Sequence, residues 1–179
     1  MKLTGGLAGT LPGTYSQHLS PTPTVTAPTS GGSATQSLAQ ALAKNILDVF
    51  NLTATVTAAA GGSPTLTGSA TTGSVKVLDD IVASATSTSC SANATSASGN
   101  AMITGLTVDG VHHGSATSPI PPNSVFTAAS GGRLVANEQI RNTDGTVTIN
   151  ALHLYANSLI YGKGDIIVGH VVCGINATP

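Results

Sequence analysis

From Leu52 the chain alternates. Leu52, Ala54, Val56 and Ala58 are interleaved with Thr53, Thr55 and Thr57, the period-two pattern of a strand with one buried face. Gly61-Gly-Ser-Pro64 supplies a turn, and comparable strands are expected over 65–70, 73–78, 81–91, 101–108, 124–128, 133–140, 146–155 and 164–173. Clusters of Gly, Pro, Asn and Asp such as Pro121-Pro-Asn123 and Gly131-Gly132 separate them. Asp109-Gly110 and Asp144-Gly145 read as two-residue hairpin turns, because both central positions of a type I′ turn require positive φ. Short strands with frequent turn signals imply an all-β antiparallel domain, a β-sandwich or jelly-roll-like fold, rather than alternating strands and helices.

Two stretches depart from this pattern. Residues 37–50 are apolar at Leu38, Ala41, Leu42, Ile46 and Val49, a spacing that predicts one short helix behind a Ser cap. Residues 5–32 are rich in Gly, Pro, Ser and Thr, including Pro21-Thr-Pro23 and Pro28, and read as extended. The expected division is therefore an arm over 1–36 and a β-sandwich domain over 37–179. Within the arm, Thr22, Thr24, Val25, Thr26 and Ala27 form a strand-like segment suited to adding to the open sheet edge of a neighbouring copy.

Composition narrows the function. Only 7% of the 179 residues are charged and the formal net charge is −1, which provides no field for phosphate backbones and excludes nucleic acid as a partner. Hydrophobic residues make up 40% and mean hydropathy is +0.25, so the chain has the apolar surface that a disordered chain lacks. Weak charge favours self-association, as suits a component that assembles. No run of about 18 apolar residues occurs, so no membrane-spanning helix is expected. Met1-Lys-Leu-Thr-Gly-Gly6 has no continuous apolar core, so export is expected through a signal already removed or by another route.

Cys90 and Cys173 fit one long-range disulfide and hence an oxidising compartment; the other reading is two buried thiols. Neither lies in a metal-ligand spacing. Asn51-Leu-Thr53 and Asn93-Ala-Thr95 match the N-glycosylation acceptor pattern, as does Asn176-Ala-Thr178 ahead of Pro179, making glycans candidate partners. His112, His113, His153 and His170 gather in the second half without a tight ligand motif, so neither metal nor cofactor is expected. Glu138 is the lone glutamate and cannot supply the paired acid and base of a glycosidase. No nucleophile elbow, P-loop or dinucleotide fingerprint is present, so no catalytic residue is assigned. Lys76 or Lys163 with Asn137 or Asn150, beside Glu138, would satisfy an isopeptide bond, but a hydrogen-bonded strand residue is the preferred reading of Glu138.

Five ordered elements carry a family likeness: Ser89-Cys-Ser-Ala92, Ile103-Thr-Gly-Leu-Thr-Val-Asp-Gly110, Leu134-Val-Ala-Asn-Glu-Gln139, Val147-Thr-Ile-Asn-Ala-Leu-His153 and Asp165-Ile-Ile-Val-Gly-His-Val-Val-Cys173. Together they resemble the choice-of-anchor P family of secreted bacterial proteins, over roughly residues 45–173. The resemblance implies an extracellular all-β domain with a single Cys90–Cys173 disulfide and no known catalytic residue. The chain stops six residues after Cys173 with neither a sortase motif nor a hydrophobic tail, so a C-terminal anchor is not expected.

The resulting expectation is a secreted structural protein at the cell surface that assembles with copies of itself into a fibre or layer through its N-terminal arm. The alternative is a monomeric adhesion or carbohydrate-binding module. Sugar platforms use exposed aromatic rings, and the chain has no Trp, with Tyr155 and Tyr161 its only close aromatic pair.

Overall fold

The computed structural model describes residues 6–10, 25, 28, 30–43, 46–59, 65–115, 118–158 and 162–174. The elements are all strands: β1 (Gly6–Thr10), β2 (Gly32–Ala43), β3 (Leu47–Ala58), β4 (Leu66–Thr72), β5 (Val75–Val77), β6 (Ile81–Ala83), β7 (Ala85–Ala92), β8 (Ala97–Thr104), β9 (Leu106–Val108), β10 (Val111–His113), β11 (Ser124–Ala128), β12 (Gly132–Arg141), β13 (Val147–Ser158) and β14 (Gly162–Cys173). Every pairing is antiparallel.

Two sheets stack as a β-sandwich. One has five strands in the order β1-β14-β13-β12-β11, and the other nine, β10-β9-β6-β5-β3-β4-β7-β8, with β2 also on β3. The nine-stranded sheet is simpler than its count. On the side away from β2, β3 pairs first with β5 along Leu47–Val49 and then with β4 along Thr53–Ala58. β4 and β5 are thus one course interrupted by a bend, as are β7 with β6 and β8 with β9, and consecutive courses are hairpins.

The two expected hairpin turns differ. Asp109 and Gly110 have φ of 51° and 78° and join Val108 directly to Val111, the two-residue type I′ turn. At the other, Gly145 N donates to Asn142 O at 3.1 Å and Gly145 has φ 82°. That is the longer turn in which a glycine in the left-handed region follows a tight bend.

The helix expected within 37–50 is absent. The segment is the end of β2 and the start of β3, with Ile46 N donating to Ala43 O at 2.9 Å. Nor does the arm end at residue 36: β2 is continuous from Gly32, and β1 pairs with β14 of its own sheet.

The helical spacing came from a crease in the sheet. In β3, Leu47, Val49, Leu52, Ala54 and Val56 face inward, and two successive residues, Phe50 and Asn51, face outward. Asn51 has φ 52°. The neighbouring courses slip together: Ala39 and Gln40 in β2 are exposed, and Gly73 and Ser74 stand between buried Thr72 and Val75. The facing sheet slips in the opposite sense, with Ala136-Asn137, Ala151-Leu152 and Val168-Gly169 turning two successive residues inward. Its register is unbroken, since Leu152 faces Ala136 and Val168 while Asn150 faces Glu138 and His170. Left-handed backbone at Asn137 (φ 51°) and Gly169 (φ 65°) accommodates the slip. The crease divides the core in two: one cluster centres on Leu47, Ile81, Leu106, Leu134, Leu152 and Ile166, the other on Val56, Leu66, Ile149 and Val171.

Cys90 on β7 and Cys173 at the end of β14 form a buried disulfide between the sheets, with Cα atoms 6.0 Å apart. A second tie is polar: Asn137 of β12, 2% exposed, accepts from Ala101 N of β8 at 3.0 Å and donates to Asn100 Oδ1 and Ile120 O, each at 3.1 Å. At one end of the sandwich, Asp80 Oδ2 accepts from Ser130 N at 2.7 Å and Asp109 accepts from Ala129 N, tying turns of both sheets.

Candidate functional site

On the outer side of the five-stranded sheet the crease gathers the chemistry-bearing residues. Glu138, Asn150 and His170 form one outward row across β12, β13 and β14, and the next outward row is Val135, His153 and Ile167. Between them lie the two successive rows that face the core, and the bend brings the outer rows into contact. Glu138 is 6% and His153 7% exposed. Glu138 Oε2 accepts from Asn150 Nδ2 at 2.7 Å and pairs with His153 Nδ1 at 2.6 Å, while Oε1 accepts from Tyr155 OH at 2.9 Å. Asn150 Oδ1 in turn lies 2.6 Å from His170 Nδ1. The Tyr155 ring stacks on His153, centroids 3.9 Å apart, and carries the Arg133 guanidinium 4.6 Å from its centroid.

Electrostatically the cluster is a carboxylate held charged. Burial pushes the Glu138 carboxyl up, but hydrogen bonds from Asn150, His153 and Tyr155 outweigh it and hold the group below the ordinary range. Burial holds His170 below its ordinary value, with the His153 charge adding to the effect and Glu138 opposing it. Tyr155 is raised by burial and by its bond to Glu138. His153 Nε2 is buried without a hydrogen-bond partner, 3.7 Å from Asp165 Oδ1.

Of the groups considered for an isopeptide bond, Glu138 and Asn150 are in direct contact, but the place beside the carboxylate is taken by His153. Lys76 is on the other sheet, paired with Asp79 at 2.6 Å. The Lys163 side chain lies outside the described residues. Glu138 is thus a hydrogen-bonded strand residue. His112 and His113 stand apart from the cluster: His112 Nδ1 bonds Thr107 Oγ1 at 3.0 Å, and His113 packs on Phe126. Among the described residues no group of three or more His, Cys, Asp or Glu side chains is placed to hold a metal.

Asn93 is exposed at the β7–β8 turn, its Oδ1 accepting from Thr95 N and Ser96 N, and Asn51 is exposed on the crease. Of the proposed assembly segment, Val25 is 2% exposed and packs in the second core cluster of its own chain; Thr22, Thr24, Thr26 and Ala27 lie outside the described residues, as does Tyr161. No described helix is long and apolar enough to cross a membrane.

The outer face of the other sheet is a hydroxyl grid, in keeping with the Ser- and Thr-rich composition. Ser33, Thr57, Thr67, Ser91 and Ser98 align in one row, and Thr35, Thr55, Ser69, Ser89 and Asn100 in the next. Cross-strand hydroxyl pairs join β2 to β3: Ser33–Thr57 at 2.8 Å, Thr35–Thr55 at 3.0 Å and Ser37–Thr53 at 3.2 Å. The Thr-x-Thr alternation was the available signal. No protein-family model, curated protein or solved structure matches the chain.

Proposed function

We propose that this protein is an extracellular structural subunit that polymerises by exchanging its N-terminal strand. The observation behind the reading is the docking of β1: Gly6–Thr10 pairs along β14 at the edge of the five-stranded sheet, opposite His170, Ile167, Ile166 and Asp165. Residues 11–31 separate β1 from β2. A strand on such a connection makes the same backbone bonds whether it closes on its own β14 or on that of a neighbour, so exchange adds few new requirements. Repeated head to tail, the contact does not close and gives a filament. The strand that exchanges in this reading is 6–10, with Val25 remaining in its own core. The interior disulfide fits service in an oxidising compartment.

Paired cysteines test it. Ala8→Cys with Ile167→Cys places thiols at opposed positions of β1 and β14. Oxidation of concentrated protein is expected to give a covalent ladder on non-reducing gels, and electron microscopy of the parent protein filaments. Cross-linked monomers alone, with dispersed single particles, would overturn the proposal.

The adhesion reading gains less support. Tyr155, the described member of the one close aromatic pair, has its hydroxyl on Glu138 and its ring between His153 and Arg133, an arrangement unlike an open stacking platform.

A further inference from the structure

β2 is a 12-residue strand with no charged side chain and no proline: Gly32-Ser-Ala-Thr-Gln-Ser-Leu-Ala-Gln-Ala-Leu-Ala43. Among the described residues it pairs with β3 alone. Natural sheets blunt such edges with Lys, Pro, brevity or a covering segment, because an open ladder of N–H and C=O groups is a template for another strand. Among the described residues the other edges are blunted. β10 and β11 span only 3 and 5 residues. The outer side of β8 is capped from the facing sheet, where Asn137 takes Ala101 N and Arg141 Nη1 reaches Ala97 O at 3.4 Å. β1, the edge strand beside β14, spans only 5 residues. Among the described residues β2 stands out as long, uncharged and paired on one side only.

We propose that β2 is an interface between two copies of this chain, paired antiparallel about a two-fold axis centred on Gln36. The chemistry of the strand selects a second copy as its occupant. Centring on Gln36 sets Thr35 against the partner's Ser37, repeating the hydroxyl pairs that already join β2 to β3. On the inward face it sets Ala34 against the partner's Leu38, both only half-buried in the single chain. It also places the exposed Gln36 amide, an inward-facing polar group, beside its own symmetry mate, where each side chain has a donor and an acceptor for the other. With no charge on the strand, self-pairing meets no like-charge repulsion. The hydroxyl grid then runs unbroken from one copy into the next. This contact is independent of strand exchange: β1 lies in the other sheet and its exchange joins copies through β14.

The test uses the full-length oxidised protein with single added cysteines. Gln36→Cys sits on the axis and is expected to cross-link to a covalent dimer; Ser33→Cys, which faces the partner's Ala39 in this pairing, is expected to stay monomeric. Thr35→Lys with Ser37→Lys is expected to abolish the Gln36→Cys dimer while leaving the melting temperature near that of the parent. Because no charges meet, dimerisation should be insensitive to salt. Failure of Gln36→Cys to cross-link, equal cross-linking by Ser33→Cys, or a dimer undiminished by the two lysines overturns the proposal. None of these outcomes depends on the Ala8/Ile167 ladder, so strand exchange and edge pairing stand or fall separately.

Discussion

Glu138 Oε2 and His153 Nδ1 lie 2.6 Å apart although the register sets Glu138 opposite Asn150 and His153 opposite Val135. The contact exists because the sheet bends between their rows. Glu138 also accepts from Asn150 and Tyr155, so one carboxylate satisfies three donors from β13. Glu138→Ala removes the acceptor and leaves those donors at a site only 6% exposed. Each stranded polar group costs about 1–3 kcal/mol, so a loss of roughly 3 kcal/mol or more is expected from urea unfolding curves. Glu138→Gln retains one acceptor and should lose less.

Acid should weaken the fold in two stages. Glu138 and His170 are both held below their ordinary values of 4.5 and 6.5 in the folded protein. In both cases the unfolded chain takes up its proton first as pH falls, so stability present above the unfolded value is lost on the way down to the folded one. His170 acts first, below about pH 6.5, and Glu138 below about pH 4.5. The groups facing His170 are His153 and Glu138, and the net direction already includes both. Chemical denaturation at stepped pH should show the first decline, and His170→Gln should remove it while leaving the second. A parent protein equally stable across about pH 7 to 5 would contradict this assignment.

The disulfide joins residues 83 apart and links the two sheets across the second core cluster. Chain-entropy reasoning for a loop of that length gives about 4.5 kcal/mol. Reduction, or Cys90→Ala with Cys173→Ala, should therefore lower the denaturant midpoint strongly with little change near Glu138. The expected signature is early hydrogen exchange at β7 and the end of β14.

The fold class was legible because Thr53, Thr55 and Thr57 alternate with apolar neighbours, and Asp109-Gly110 announces its turn outright. The crease was not, and it accounts for the largest misreading. The inward side of β2 passes from Leu38 to Ala41, a step of three that imitates a helix turn, and Leu42, counted as part of the apolar stripe, is 65% exposed. A two-residue slip contributes the same local spacing as a helix, and only the matching slips in the neighbouring courses separate the two. The site was half legible for the same reason. Glu138 was grouped with Asn150, and His153 with His170, as separate candidates, but the convergence of all four depends on two rows being folded inward together, a property of three strands at once. The disulfide was open between bridge and free thiols until the sheets brought Cys90 and Cys173 within 6.0 Å at Cα.

Gly169 lies on the crease, in the row that turns inward with Asn137 and Ala151. Its φ is 65°, and a Cβ there would lie 2.9 Å from Ala151 Cβ and 3.2 Å from Thr86 Oγ1 of the facing sheet. Gly169→Ala therefore meets a left-handed backbone penalty of about 1–2 kcal/mol, a steric clash with Ala151 of its own sheet and a tight approach to Thr86 across the sandwich. Asn137, the other left-handed residue of the same row, has φ 51° but also uses its amide on Ala101, Asn100 and Ile120. Asn137→Gly relieves the backbone and still removes those bonds, so it should destabilise; Asn137→Ala, which keeps the strain as well, should destabilise more. Thermal unfolding of the three variants distinguishes the terms. If Asn137→Gly proved as stable as the parent, the amide would have no role in holding β12 to β8, and the backbone alone would set the bend.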